Sequence, residues 1–207
     1  MDSVKVTQPS FQMVESGAVP TSTLHVKDLI VRLCSFKDIS NIFERYHYKG
    51  KHMGGGISEC FSLLYNGNIV GGAVLGKPRH ENKYPDSIDI RRMALIDECP
   101  KNSESFFLSK IILWIKKNTY YKKVLSYADK SVGHVGTIYK AANFYKVGET
   151  SPSKHIYWRG HLYHPRSLTI DRPYSYEMRE DVKNGNAKLT TGLPKSIWIY
   201  DIRGKTN

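Results

Sequence analysis

The chain has 207 residues, 40% of them apolar and 24% charged, a balance that describes a soluble globular protein built around one fair-sized core. Lys plus Arg outnumber Asp plus Glu by 31 to 19, a formal net charge of +12, which makes a polyanion the first partner to test. The length excludes two full enzymatic domains, and every uncharged stretch, Ile69 to Gly76 among them, is too short to span a bilayer.

Residues 1–26 are rich in Ser, Thr, Val, Gln and Pro without a sustained period, and read as a poorly ordered arm or an added edge strand. Nothing in them marks secretion, so a cytoplasmic address is expected. Ile30 to Cys34 looks like a strand, and Asp38 to Tyr46 places Ile39, Ile42 and Phe43 at helical spacing. Cys60 to Tyr65 and Ile69 to Leu75 flank Asn66-Gly67, a dipeptide that supplies the positive-φ turn of a tight hairpin. Ile88 to Ile96 reads as a further strand. Pro100 and Asn102 then announce a helix whose Phe107, Leu108, Ile111, Ile112 and Ile115 share one face up to Asn118.

Val124 to Ala128 is a short apolar run bounded by Asp129, as expected of a central strand. Gly133 and Gly136 open another helix, with Ile138, Ala141, Ala142 and Tyr145 on its stripe and Gly148 past its end. Ile156 to Trp158 and Leu162-Tyr163 suggest late strands. Ser167 onward is a Tyr- and Arg-bearing segment ending in a strand at Ile197 to Ile202. The order predicts an α/β domain over 27–165, a single mixed, mostly antiparallel sheet with helices on both faces, and a C-terminal extension over 166–207.

Cys34, Cys60 and Cys99 have no C-x-x-C pairing and read as reduced structural residues. A metal site has little support beyond a loose His161-x-x-His164. Two segments interleave cations with rings: Arg45-Tyr46-His47-Tyr48-Lys49-Gly50-Lys51-His52 and Lys116 to Lys123. That mixture suits nucleic acid, although each segment alone also fits a solvated basic face.

Two loops at strand ends can carry chemistry. Pro100-Lys101-Asn102-Ser103-Glu104-Ser105 puts first-turn amides and hydroxyls at the positive end of a helix, which suits a phosphate or is simply a cap. Asp129 to Tyr139 carries an acid at a strand end, His134 between two glycines, and a tyrosine beside the helix stripe. Asp129 and Tyr139 form an acid/base pair, or Asp129 only caps a turn.

Arg92-Met93 with Asp97, Lys101 to Ser105, Ser126-Tyr127-Ala128-Asp129, Gly133-His134-Val135-Gly136-Thr137-Ile138-Tyr139-Lys140-Ala141-Ala142-Asn143-Phe144 and Gly148-Glu149-Thr150 resemble the bacteriophage Mom family of DNA-adenine modification proteins. The resemblance runs from about Arg45 to Trp158. It implies a divergent GCN5-related N-acetyltransferase (GNAT-like) fold and modification of the exocyclic amine of adenine in phage DNA, which protects it from restriction in the host cytoplasm. Double-stranded DNA is the implied partner and acetyl-CoA the implied donor. A carbamoylmethyl product, attached through carbon, calls for a further nitrogen source or a metal such as iron. Oligomeric state, a dimer included, is left open.

By position, the family's functional residues fall on His47, Arg92, Ser105, Asp129 and Tyr139. The resemblance then implies that Arg92 with Ser103, Glu104 and Ser105 holds the pyrophosphate of CoA. His47, Tyr48, Lys49, Lys51 and His134 face the DNA. Tyr139 stacks on the adenine or donates a proton to the leaving thiolate, and Asp129 accepts the amine's proton or orients the amine. The alternative is an acetyltransferase acting on a protein or small-molecule amine.

Overall fold

The computed structural model describes residues 25–50, 53, 55–78 and 81–202; Lys51 and nearly all of the expected N-terminal arm lie outside them. Strand β1 (Ile30–Cys34) leads into helix α1 (Phe36–Tyr46). The helix begins earlier than its apolar spacing predicts because Ser35 caps it, the Asp38 carboxylate accepting both the amide and the hydroxyl of Ser35 at 2.8 Å. The hairpin of β2 (Ile57–Tyr65) and β3 (Asn68–Gly76) turns as expected at Asn66 and Gly67, both at positive φ, 47° and 81°.

Strands β4 (Ser87–Leu95), β5 (Lys123–Asp129), β6 (Tyr145–Glu149) and β10 (Lys195–Asp201) complete a seven-stranded sheet ordered β1-β2-β3-β4-β5-β10-β6. Helix α2 (Ser103–Asn118) connects β4 to β5, and the short α3 (Thr137–Ala141) precedes β6.

Alternation along the strands assigns the two faces. Val74 and Ala94 pack with Cys60 beneath Ile39, Ile42 and Phe43 of α1. Ala73, Leu75, Ile88 and Ile90 pack on the other side against Phe107, Leu108, Ile111 and Ile115 of α2. Burial of such side chains stabilises the sandwich by about 1.5 to 3 kcal/mol each. Gly72 lets α1 come close, since a Cβ there would lie 2.9 Å from Ile39.

The register has two features that matter for the site. Val74 pairs with Arg92 and Leu75 with Ile90, so Arg91 is an extra residue that bulges β4. And β4 and β5, the only parallel pair among the described residues, are joined only over Ser87–Asp89 and Lys123–Leu125. Beyond Asp89 the two strands part, while β5 stays paired with β10 along its whole length.

The C-terminal third differs from expectation. Strand β10 is an interior strand of the main sheet, between β5 and β6. The added piece is therefore the segment 150–194, inserted between those strands, and not 166–207. It comprises a small sheet, β8-β7-β9, made of β7 (Lys154–Trp158), β8 (His161–Tyr163) and β9 (Lys188–Thr191), and helix α4 (Pro173–Lys183). Its own core is Ile156, Trp158, Met178 and Ala187. Helix α4 escaped the periodicity argument because only Ser175 and Met178 of its residues are buried, which leaves almost no apolar stripe. Tyr145, expected on the helix stripe, belongs to β6: α3 stops at Ala141, and Asn143 adopts φ 63° to turn the chain into the strand.

Candidate functional site

Asp129 is the last residue of β5, where that strand has parted from β4, and it is buried with its carboxylate surrounded by donors. Lys195, directly opposite on β10, places Nζ 2.6 Å from Oδ2. Tyr48 donates its hydroxyl to the same oxygen at 3.1 Å, and Ser131 donates its amide to Oδ1 at 3.2 Å and also its hydroxyl. Burial opposes ionisation, but the bonds from Lys195 and Ser131 and the ammonium charge outweigh it and hold the carboxyl well below the usual carboxylate range. Asp129 is thus an anion at any working pH and a weak base.

The residues after α1 close over it. Tyr48 stacks on His47 with ring centroids 4.7 Å apart and meets His134 edge-on at 5.8 Å, and the Lys49 ammonium lies 5.4 Å from the Tyr48 ring. Burial lowers the His47 imidazole to about 4, and the charges of Arg92, Lys49, His134 and Lys195 push the same way. Its Nδ1 accepts the Lys49 amide at 3.1 Å, so the proton of the neutral ring resides on Nε2 and the ring offers a donor. Burial raises the Tyr48 phenol, as do the charge and hydrogen bond of Asp129.

Arg92 belongs to this group. Its register partner Val74 lies under α1, and its guanidinium donates to the carbonyl of Gly50, just beyond Tyr48. The α2 terminus lies on the opposite face, so the structure does not bring Arg92 together with Ser103, Glu104 and Ser105, and that part of the expected pairing is corrected. The reason is the bulge at Arg91, which turns Arg92 to the α1 face.

The α2 side is built differently. Ser103 is fully buried, and its hydroxyl donates to Pro100 at 2.7 Å. The Ser105 hydroxyl donates to Asn102 at 3.0 Å. The hydroxyls are committed to the turn, which leaves the first-turn amides of Glu104 and Ser105 as the donors facing outward. Glu104 contributes a carboxylate there, which favours the helix dipole but opposes an anion. Beside this turn, Asn102, Ser105, Phe106, Ser109, Ala141 and Asn143 line a cleft of about 450 Å³ between α2 and α3.

Tyr139, which the sequence left free of the core, packs against it: its ring lies 5.6 Å from Phe144 and 6.1 Å from Trp198. Its hydroxyl lies near Ser126, which donates to the Ile90 carbonyl across the parting strands at 3.4 Å. Burial raises the phenol, so it remains protonated. Packed this way, the ring presents an edge and a hydroxyl, not a face for stacking.

Sequence reasoning missed Lys195 and Ser126. Lys195 carries no local motif and is found only through register, opposite Asp129; Ser126 lies in the Ser126-Tyr127-Ala128-Asp129 segment, but its place beside the strand gap follows only from its register opposite Trp198. The cysteines are free, and burial pushes the thiols up, Cys34 to about 12 and Cys60 and Cys99 to about 11, which makes them poor nucleophiles. Among the described residues no three His, Cys, Asp or Glu side chains converge on a point that could hold a metal ion. Around Asp129 and His47 the charges of Lys195 and Arg92 oppose a cation, so these residues do not fit the iron expectation. Among the described residues, no helix is long and apolar enough to cross a membrane.

Solved structures share this fold. The ribosomal-protein-S18-alanine N-acetyltransferase from Escherichia coli is 12% identical, with 84% of this chain and 94% of that chain covered at a TM-score of 0.52. A spermidine N-acetyltransferase from Vibrio cholerae, in complex with CoA and spermine, is 8% identical over 86% and 97% at 0.54. A putative acetyltransferase from Salmonella typhimurium, with its cofactor acetyl-CoA, is 10% identical over 87% and 97% at 0.53. At these identities the likeness is one of fold: the chain has the acetyltransferase fold that the family resemblance implies, on the mixed sheet that its element order predicts. No curated protein sequence matches. The model of the Mom protein family matches residues 28–194.

Proposed function

The chain belongs to the Mom protein family, and from that premise we propose that it modifies the exocyclic amine of adenine in double-stranded phage DNA, with acetyl-CoA as the donor, and so protects the DNA from restriction. The observation that carries this reading is the cluster of cations around Asp129, at the end of β5, on a chain of net charge +12. Lys195, Arg92 and Lys49 surround a half-exposed aromatic ring, a setting that attracts a phosphate backbone and offers Tyr48 to a base taken out of the stack.

The described residues fit an acyl-CoA on the α2 face. The parting of β4 and β5 frees main-chain groups for an extended amide-bearing arm. The amides of Glu104 and Ser105 suit a pyrophosphate, and the cleft between α2 and α3 leads away from them. Bound there, the thioester would supply the activated two-carbon group. The chain's own residues divide the remaining work. Tyr139, protonated and reaching toward the strand gap, is placed to give a proton to a departing thiolate. On the other face His47 donates from Nε2, and Asp129 accepts a hydrogen bond from the adenine amine and offsets the positive charge that develops on its nitrogen. Its lowered pKa makes it a weak base, which favours this orienting role over proton abstraction, and the proton released as the C–S bond breaks and the N–C bond forms passes to solvent water. The basic surface offsets the few kcal/mol of base extrusion.

An acetyltransferase for a small or protein amine is the competing reading, suggested by the acceptors of the structural neighbours. A polyamine acceptor is disfavoured here because Arg92, Lys195 and Lys49 would repel it. Nucleoside mass spectrometry of DNA from bacteria expressing the protein decides between them: a new adenine species with the wild type and none with Asp129→Asn supports DNA modification. Unchanged nucleosides with folded wild-type protein would favour the amine acetyltransferase.

A further inference from the structure

Lys195 lies one residue beyond the family match and outside every motif of the sequence, yet it makes the shortest ionic contact to the site. Its backbone is fixed at the neck of the inserted unit: its amide donates to Thr150 Oγ1 at 3.0 Å, and its carbonyl accepts the Thr150 amide at 2.9 Å. With the main chain pinned and Asp129 directly across the β5–β10 ladder, the ammonium is held 2.6 Å from Oδ2, the carboxylate only 8% exposed and the lysine side chain 25%.

We propose that Lys195 is the positioning residue of the acceptor site, acting through Asp129 to fix the Tyr48 ring over the place where the substrate base is held. This rests on the adenine reading above and names the group that keeps its pocket in shape. One carboxylate oxygen, Oδ2, receives both Lys195 and Tyr48, so the ammonium decides whether that oxygen is an anionic acceptor for the phenol. The groups facing Asp129 come from several elements: Lys195 on β10, Tyr48 after α1, Ser131 in the turn after β5, and further out Arg92, His47 and His134. Lys130 is occupied elsewhere, 2.5 Å from Glu149, and does not substitute for Lys195. Without the ammonium, burial acts on Asp129 with less opposition. The carboxyl takes up a proton more readily, and the Tyr48 hydroxyl loses its anionic acceptor.

The test compares full-length wild type, Lys195→Met and Lys195→Arg by carbon-13 NMR titration of the Asp129 carboxyl and by the pH profile of adenine modification. The expected result for Lys195→Met is an upward move of the carboxyl titration by about 1 to 3 pH units. The acid limb of the profile should move with it, kcat should fall, and KM for acetyl-CoA should hold. Lys195→Arg restores the wild-type titration. An Asp129 titration that does not move in folded Lys195→Met overturns the proposal. If that variant does not fold, Lys195→Gln carries the same comparison. The titration is read without DNA, so a moved carboxyl in a protein that yields no modified adenine overturns the adenine reading alone.

Discussion

The two faces of the sheet meet where β4 and β5 part, and they are made on opposite plans. The α1 face gathers charges and rings: Lys195 and Tyr48 meet the buried Asp129 carboxylate, His47 stacks on the half-exposed Tyr48, and Arg92 holds the Gly50 carbonyl beside them. The α2 face gathers a hydroxyl and apolar rings, Tyr139, Ser126, Phe144 and Trp198, with the polar group sunk among them. The first plan suits recognition of a charged polymer, and the second suits retention of a proton at a protected point. One sheet can serve both because β4 and β5, the only parallel pair among the described residues, are joined over only a few residues and part beyond Asp89.

Asp129→Asn should break the charged face hardest. The lost carboxylate leaves the Lys195 ammonium unpaired, so modification should fall about 100-fold or more, as for loss of a transition-state charge partner. Nucleoside mass spectrometry reads it, and a folded variant with wild-type product would remove Asp129 from the mechanism. On the other face, Gly136→Ala should cost about 2 to 4 kcal/mol of stability, since an alanine there meets both a left-handed backbone and an occupied space. Gly136 has φ 86°, and its Cβ would lie 2.4 Å from the Trp198 indole. Urea unfolding measures the loss, and an unchanged midpoint would mean that the two elements are not packed as described.

Tyr139→Phe sharpens the contrast with a smaller change: kcat should fall when the phenol proton is removed, with DNA affinity unchanged. Acid distinguishes the faces further. His47 is held at about 4, below its ordinary 6.5, so its neutral form favours the folded state above pH 6.5 and that contribution disappears as pH falls toward 4. Asp129, also depressed, adds its own loss at still lower pH. His47→Gln should therefore flatten the decline between pH 6.5 and 4 in a thermal-unfolding series; an unaltered slope would contradict the burial of a neutral ring.

Much of this fold was legible in the sequence. The Asn66-Gly67 hairpin, the α2 stripe and the apolar run before Asp129 each rest on local chemistry that tertiary contacts did not override. What escaped depends on distant partners. β10 could be read as a strand, but not as one that slips between β5 and β6, and helix α4 buries too little to leave a pattern. In the site, Asp129 and Tyr139 could be named from the end of β5 and the helix that follows, and His47 and Tyr48 from the basic-aromatic segment and the family resemblance. The faces they occupy could not, because a single bulged residue, Arg91, turns Arg92 away from α2, and Lys195 finds Asp129 only through a ladder between residues 66 positions apart.

Arg92→Gln examined by calorimetry against acetyl-CoA and against duplex DNA tests the division of the two faces most directly. The account predicts unchanged acetyl-CoA affinity and DNA binding weakened by about tenfold, the loss of one charge-assisted contact worth about 1.4 kcal/mol. Lost acetyl-CoA binding with DNA affinity intact would contradict it and return Arg92 to the helix terminus that the sequence alone suggested.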